Sequence, residues 1–597
     1  MMSSPEQAGS GQAADAHFAA AARRLGLEVP ADLLDGVLRG HRGLQQLAVL
    51  VGASTACDDP TGVGDDGFAG RGAAPSREDV ALTDAGVRAD AGVGARVRAD
   101  AGVGADAAPG QLGDLGELSV AQAAALLRSG RLSSVELTRH ALDRIAAVDG
   151  ELNSFVLVTG EMALARAAAA DDELRRGVDR GPLHGIPYAH KDIIDVAGLP
   201  TGNGSWRSTG QAADADSAIE ASLRRGGAVL LGKLTTYEFA VGGPSFDLPT
   251  PPARNPWSSD HVPSGSSSGA GAAVAAGLLR VAYASDTSGS IRGPAFHCGA
   301  VGLKPTYGRV SGAGVRTLSH TLDHFGPIGW TVGDVAAALQ VVAGYDPRDP
   351  RTAPEPVADY IAAAAAGAGE GVAGLRVAHT PSWYAEDPAT SPEIVATIRR
   401  VLDVLAAHGA IIEEAPVPDY ELFNACGRVL FSAEAFATHE RGLCDEPRSF
   451  GRFTYQRLAP GAGLLGADLA HAFALRRRLR RELDRVLSRH DLIVTACGQT
   501  TAARFDDFPR DWPPPKLAND MQTIPFSVTG HPAMTLPTAV AGNGLPIGVQ
   551  LVAARWDEAT LFRAGALVEA ELAPHRRRPD AAALTPLSLP QWEAAEL

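Results

Sequence analysis

The sequence predicts an α/β protein whose mainly parallel or mixed central sheet is covered by helices on both faces. Three apolar runs support this fold class: residues 228–231, 281–284 and 547–552, each near a stretch of helical character. Strands that are apolar at every position are buried on both faces. The alternation of strands with helices therefore predicts a layered α/β/α sandwich.

The first element in the chain, residues 1–52, is predicted to be a small helical unit. After Pro30 and Asp32, apolar side chains recur at helical spacing. These side chains are Leu33, Leu34, Val37, Leu38, Leu44, Leu47, Ala48 and Val51. Two short helices bury little surface alone, so we expect the stripe to dock on the rest of the protein or on a partner. A helical hairpin with no role beyond packing is the alternative.

Residues 53–115 have a different composition, dominated by Gly, Ala and Asp. The hexapeptide ADAGVG occurs at 89–94 and again at 99–104. A segment with so few large apolar side chains cannot offset the entropy of ordering. We therefore expect a flexible, low-complexity linker between the helical unit and the remainder of the chain.

Residues 116–597 are predicted to form the catalytic domain. Ser133 and Glu136 have the S-x-x-E spacing of a capping box, which predicts a helix over 134–148. Later in the chain, strand-like and helix-like segments alternate, as expected for the sandwich.

Composition excludes several other classes of function. The 597 residues carry a formal net charge of -16, which argues against direct binding of nucleic acid. No apolar run has the length of a transmembrane helix, and the N-terminus lacks the pattern of a secretory signal. Five scattered cysteines fit unpaired thiols. We expect a cytoplasmic protein with no membrane contact.

No sequence pattern indicates a metal or a cofactor. The chain contains neither a CxxC pair nor an HExxH motif. We therefore expect no metal or cofactor, with convergence of His and carboxylate side chains from distant positions as the alternative.

Two loops rich in serine and glycine are the first candidates for that chemistry. One covers 263–271 and leads into the helix-like AAVAAGLL, and the other covers 285–292 after VAYA. Such loops present backbone N–H groups that stabilise negative charge. A Gly/Ser linker and a phosphate loop are weaker interpretations of the first. A nucleophile elbow centred on Ser267 is another, although the preceding segment has two prolines instead of a strand.

Lys191 is the third candidate, within GPLHGIPYAHKDII (181–194). Its apolar neighbours indicate burial, which lowers the pKa of a lysine and makes its neutral amine available as a base. A surface ion pair with Asp192 is the alternative for this lysine alone.

The order of these motifs resembles the amidase signature family. The resemblance also covers GKLTTYEFAVGG, ARNPW, FSVTGHPAMTLP and GLPIGVQLV, and spans roughly residues 117 to 575. It implies an amidase-signature sandwich, a small amide as substrate and cleavage of the C–N bond through an acyl-enzyme. A homodimer is compatible with it.

The resemblance implies a role for each site residue. Ser290 would be the nucleophile, Lys191 the base, and Ser266, reached through a cis peptide, the proton relay between them. The backbone amides of Thr287, Ser288, Gly289 and Ser290 would form an oxyanion hole. Asp286 and Arg292 would support this loop, or simply form a structural ion pair.

Two positions depart from the common pattern of the family. Ser288 stands where a glycine is usual, which leaves the nucleophile intact and alters the pocket beside it. Thr235 stands where many relatives have asparagine, which weakens an assignment to the tRNA-dependent amidotransferases.

The segment from His17 to Gly52 is similar to the small helical subunits that accompany carboxybiuret-type amidases and, more distantly, amidotransferases. We therefore expect a fused partner subunit that docks on the catalytic domain.

A stand-alone amidohydrolase is the first interpretation, the amidase component of a tRNA-dependent amidotransferase the second, and a catalytically inert scaffold the third. The substrate pocket is expected to draw on 237–246, the loop before Ser266, and 505–516.

Overall fold

The protein was analysed as a computed structural model. It describes residues 5–56, 114–208, 210–508, 511–512, 521–573 and 578–585. The strands are β1 Phe155–Val158, β2 Pro187–Lys191, β3 Val229–Leu234, β4 Val281–Asp286, β5 Val301–Lys304, β6 His324–Gly329, β7 Arg376–His379, β8 Ile411–Glu414, β9 Leu492–Thr495, β10 Ala533–Val540 and β11 Pro546–Ala553.

The helices are α1 Pro5–Leu25, α2 Leu34–Ala56, α3 Val120–Arg128, α4 Ser134–Leu152, α5 Gly160–Arg175, α6 Ala218–Arg225, α7 Ser268–Ala275, α8 Arg292–Cys298, α9 Val332–Val342, α10 Tyr360–Glu370, α11 Pro381–Tyr384, α12 Pro392–Ala407, α13 Tyr420–Asp445, α14 Arg452–Leu458, α15 Gly466–Leu487, α16 Ile524–Thr529 and α17 Glu558–Leu572.

Within the described residues the strands form a single mixed sheet. Its order is β1-β3-β2-β4-β6-β5-β10-β11-β9-β7-β8. Strand β2 lies between β3 and β4 and is parallel to both, whereas the central strands β6, β5, β10 and β11 pair antiparallel. Because β2 and β4 run in the same direction, their carboxyl ends meet at one edge, where ligands bind in many α/β sheets.

Helices cover both faces of the sheet, as the sequence predicts. Successive residues of β3 point to opposite faces: Val229 and Leu231 join one apolar cluster with Ile145 of α4. Leu230 joins the other cluster, to which α9 contributes Leu339. Side chains alternate along a strand, so both faces of β3 are buried. The predicted α/β sandwich is confirmed.

The predicted capping box is present at the start of α4. The Ser133 hydroxyl accepts from the Glu136 N–H at 3.1 Å, and the Glu136 carboxylate accepts from the Ser133 N–H at 2.8 Å. The helix ends at Leu152, four residues beyond the predicted end, where Asn153 adopts a left-handed conformation. The predicted strands also appear, as β3, β4 and β11.

Helices α1 and α2 form the N-terminal helical unit, and it packs on the rest of the chain. Val37 and Val51 of α2 are fully buried in the same apolar cluster as α13 and α15. Leu34 is an exception to the predicted stripe, because its side chain is largely exposed. Helix α2 continues to Ala56, so the predicted linker begins within a helix. Residues 57–113 of that linker lie outside the described residues, and its last two residues, Asp114 and Leu115, are the cap and the first residue of the short 3-10 helix Leu115–Glu117.

We also searched the described residues for membrane-spanning helices. No single helix there is long and apolar enough to span a membrane. Segments Arg452–Gly463 and Gly466–Leu487 satisfy the length and composition criteria only when joined across a bend of 98°.

Candidate active site

Lys191 is the last residue of β2, and its side chain is completely buried. Its Nζ atom donates to the hydroxyl of Ser266 at 2.7 Å and to the hydroxyl of Ser285 at 2.9 Å. Burial lowers the pKa of Lys191 to about 7, against the opposing influence of the Asp323 and Asp286 carboxylates. The alternative of a surface ion pair with Asp192 does not apply, because Lys191 is buried and the Asp192 carboxylate pairs with Lys233 at 2.9 Å.

Ser266 lies in the loop that precedes α7. The peptide bond between Gly265 and Ser266 is cis, as the family resemblance implies. The Ser266 carbonyl accepts from the Tyr237 N–H at 3.0 Å, which holds the loop against the segment after β3. A Cβ at position 265 would overlap the Tyr237 ring. These contacts fix the hydroxyl of Ser266 beside the amine of Lys191.

The structure disfavours a nucleophile elbow at Ser267. This serine is fully buried, and its hydroxyl donates to the carbonyl of Ser285 at 3.2 Å. Ser267 therefore has a structural contact at the start of α7 and no access to solvent.

Ser290 opens onto the central cavity, which has a volume of about 540 Å³ and is also lined by Ser266, Thr287, Ser288 and Gly289. Such a volume suits a small organic ligand. Ser290 is 8% exposed, and its hydroxyl makes no hydrogen bond to another described residue. In unliganded sites, catalytic hydrogen bonds are often long or not yet formed.

The backbone amides before Ser290 do not all face the central cavity. The Gly289 N–H donates to Asp286 Oδ1 at 2.7 Å, so this donor is already used. Of the four amides expected to form an oxyanion hole, Gly289 is thus engaged with Asp286, whereas the N–H groups of Thr287, Ser288 and Ser290 donate to no described residue. The Asp286 carboxylate lies beneath the loop and accepts from the Gly289 N–H, which is the physical reason that Gly289 differs from the other three residues.

Asp286 and Arg292 form a fully buried, bidentate ion pair under the loop. Arg292 Nε and Nη2 each donate to the carboxylate at 2.9 Å. Burial by itself would raise the pKa of Asp286, but the Arg292 guanidinium outweighs it and holds this pKa well below its usual range. Arg292 also donates to the Thr523 carbonyl and the Gln550 side chain, both at 2.8 Å. The pair therefore connects the Ser290 loop to α16 and β11.

Ser285 and Asp323 were not identified from the sequence. Ser285 provides the second hydroxyl beside Lys191. The sequence does contain a signal for it, because Ser285 is a polar residue near the carboxyl end of an apolar strand. The Asp323 carboxylate accepts from the Thr287 hydroxyl at 2.7 Å, and burial raises the pKa of Asp323. No motif surrounds Asp323, so its proximity to Lys191 and Thr287 depends on the fold.

Much of the cavity wall was expected. The predicted segments contribute Tyr237, Ser264 and Gly265, and Phe508 and Trp512. Residues 513–520 lie outside the described part of the chain.

The two departures from the family pattern lie in different surroundings. Ser288 lines the central cavity, and its carbonyl accepts from the Thr523 hydroxyl at 2.5 Å. Thr235 is buried away from the cavity, where it donates to the Asn153 carbonyl at 2.6 Å.

Metal chemistry has no candidate site in the described segments, where no three His, Cys, Asp or Glu side chains are grouped to hold an ion.

Comparison with known proteins adds independent information about the same region. The Amidase family model matches residues 136–562. The A-type subunit of glutamyl-tRNA(Gln) amidotransferase from Chloroflexus aggregans is 36% identical over 492 residues, which cover 79% of this chain and 99% of that protein.

Solved structures agree with this comparison. The structure of native peptide amidase from Stenotrophomonas maltophilia has a TM-score of 0.67 and 30% identity, covering 78% of this chain and 98% of that one. A chain from a vestigial protein complex, studied for the origins of an s-triazine catabolic enzyme, has a TM-score of 0.71 and 32% identity. That comparison covers 76% of this chain and 98% of the other.

Proposed function

Because the chain belongs to the amidase family and is an enzyme that acts on amide C–N bonds, we propose that Ser290 is its nucleophile and Lys191 its base, with Ser266 as the relay. One observation carries this proposal: a buried lysine with a pKa of about 7 contacts Ser266 at the edge of a cavity that also exposes Ser290. A neutral amine at this position accepts a proton near neutral pH.

The proposed reaction proceeds in two stages. The Ser290 oxygen attacks the amide carbonyl and forms an ester bond, while its proton passes through Ser266 to Lys191. The same proton returns to the nitrogen as the C–N bond breaks, which releases ammonia or an amine. Water then attacks the acyl-enzyme, a carboxylic acid leaves, and Ser290 regains its proton.

Backbone amides would stabilise the negative charge that develops on the carbonyl oxygen. The three N–H groups without a described partner, on Thr287, Ser288 and Ser290, lie in the cavity wall. Each such donor lowers the barrier by roughly 3 kcal/mol in well-studied hydrolases. We propose that the Asp286–Arg292 pair holds these donors in place and does not touch the substrate.

The leading proposal is a stand-alone amidohydrolase in which the N-terminal helical unit serves as a built-in partner. Its support is that α1 and α2 belong to the same chain and pack on the larger domain, where α2 lines the cavity. A second candidate, the amidase component of a glutamine-dependent tRNA amidotransferase, is favoured by the 36% identity to such a protein over nearly its full length. We further propose a cytoplasmic location, which suits the free thiols of Cys298, Cys426, Cys444 and Cys497.

These two candidates differ in what the purified full-length chain does alone. Ammonia release from a panel of aliphatic and aromatic amides, glutamine and carboxylated ureas tests both. Hydrolysis of a small amide without a partner supports the first. Glutaminase activity that requires an added amidotransferase partner supports the second.

Substitution tests the proposed triad. Ser290→Ala and Lys191→Ala should each lower kcat by about 1,000-fold or more, and Ser266→Ala by about 100-fold, because each change removes one step of the proton path. Ser432→Ala is the matched control, since Ser432 lines the same cavity without a contact to Lys191. Full activity in Ser290→Ala, with the control also active, would overturn the mechanism.

A further inference from the structure

One face of α2 lines the central cavity, although α2 lies outside the region that the family model matches. Besides Arg39, the lining residues of α2 are Gly40, Gly43, Leu44 and Leu47. These last four follow the i, i+3, i+4, i+7 spacing that places residues on a single face of a helix. The N-terminal helical unit thus reaches the same space as Ser290.

Polar contacts with the rest of the chain hold α2 in this position. The Gln45 side chain donates to the Gly463 carbonyl at 3.2 Å, and Arg478 donates to the Ser54 carbonyl at 2.7 Å. Just before α2 begins, the Asp32 carboxylate accepts from Arg448 at 2.8 Å. Together with the buried apolar stripe, these contacts fix both ends of the helix.

Helix α2 also contacts Gln456, a residue that bonds to another part of the cavity wall. A Cβ at Gly36 would overlap the end of the Gln456 side chain, so the glycine lets Gln456 approach the helix closely in its present conformation. The side-chain oxygen of the same Gln456 accepts from the backbone N–H of Trp512 at 2.7 Å. The Trp512 ring lies 4.5 Å from the Arg457 guanidinium, and both residues line the cavity. Gln456 therefore connects α2 to the aromatic side of the cavity.

Gly43 is the position where α2 leaves the most room. No heavy atom lies within 4 Å of the place that a Cβ would occupy, in contrast to Gly36 and Gly40. Gly43 lines the cavity and is also exposed to solvent, so a side chain at this position would extend into the open mouth of the cavity.

We propose that α2 is a wall of the central cavity and that Gly43 sets how large a substrate group fits beside it. The part about substrate size rests on the proposed amidohydrolase function, whereas the position of α2 does not. The N-terminal helical unit then acts in substrate selection in addition to packing.

The selectivity test compares Gly43→Phe with the unsubstituted enzyme on small aliphatic and bulky aromatic amides. We expect kcat/KM for bulky amides to fall about tenfold or more, because an added ring occupies the space they need. Small amides should change less than about twofold. Gly43→Ala controls for loss of the glycine, and Val49→Phe controls for a ring on the outer side of the helix, where Val49 is 71% exposed. Equal loss on both classes of amide would overturn the role of Gly43.

The position of α2 can be tested without any turnover. A bimane dye attached to Gly43→Cys should be quenched on contact with Trp512, and Trp512→Phe should restore its emission. The same dye on Val49→Cys should not respond to Trp512→Phe, and the unsubstituted protein gives the background of the native thiols. If the emission of the dye did not depend on Trp512, the proposal that α2 forms a wall of the cavity would be overturned.

The two arms separate failure of the inference from failure of the proposed function. If the unsubstituted enzyme hydrolyses no amide, the proposed function fails and the size limit at Gly43 fails with it. The fluorescence still decides whether α2 forms the wall.

Discussion

Lys191 acquires its proposed reactivity from its surroundings. Complete burial removes the hydration that stabilises an ammonium ion, and this lowers the pKa to about 7. The Asp323 and Asp286 carboxylates act in the opposite direction, because negative charge favours the protonated amine. The hydroxyls of Ser266 and Ser285 orient the amine, so that one lone pair can face the relay once the proton is lost.

The pH dependence of activity should report this lysine. The base must be neutral, so kcat/KM for a neutral amide should rise with pH through about 7 and then level off. Asp323→Asn removes a charge that raises the pKa of Lys191, and the midpoint should therefore move to lower pH. Asp172→Asn, an exposed carboxylate on α5, serves as the control. An unchanged midpoint in Asp323→Asn would contradict this account.

At the scale of elements, the site is a junction between β4, the Ser290 loop and α8. Strand β4 supplies Ser285 and Asp286 at its carboxyl end, and α8 begins with Arg292. The Asp286 carboxylate accepts from the Gly289 and Ile291 N–H groups as well as from Arg292. A carboxylate with this many donors stays ionised and rigid, so it fixes the loop that carries the nucleophile.

Breaking this ion pair should be costly. Arg292→Met leaves the Asp286 carboxylate buried without its partner, and we expect the free energy of unfolding to fall by about 3–5 kcal/mol. Denaturant unfolding measures the loss. Arg441→Met, in the exposed pair with Asp445, is the matched control and should change stability by less than about 1 kcal/mol. Similar small losses in both variants would show that the buried pair is not a structural anchor.

At the scale of the whole molecule, the N-terminal helical unit completes both the core and the cavity. Phe18, Val37 and Val51 are buried in the apolar cluster of the larger domain, while Gly43 and Leu47 face the cavity. Docking of the unit therefore couples its stability to the shape of the site.

Disrupting the docked face should detach the unit. Val37→Asp places an unpaired charge in a fully buried position, which should lower the free energy of unfolding by about 3 kcal/mol or more. We expect a lower Tm and faster hydrogen exchange across α2. Val49→Asp puts the same charge on the exposed side of the helix and should leave both measurements unchanged. Identical behaviour of the two variants would show that α2 is not docked through this face.

Many features of this protein follow from short stretches of sequence. The capping box at Ser133, the strand before Asp286 and the apolar stripe of α2 each depend on neighbours a few residues apart. The α/β fold class and the family follow in the same way, because the motifs retain their order along the chain. Lys191, Ser266 and Ser290 could be selected as candidates for that reason.

Tertiary structure alone decided the rest, because it depends on distances between residues far apart in the chain. Burial of the Lys191 amine, its contact with Ser285 and the nearby Asp323 carboxylate require β2, β4 and the segment before β6 to meet. Gly289 and Asp286 are only three residues apart, but Arg292, which pairs with this carboxylate, is itself held by the distant residues Thr523 and Gln550. The place of α2 in the cavity wall depends on docking across hundreds of residues, which no local pattern encodes.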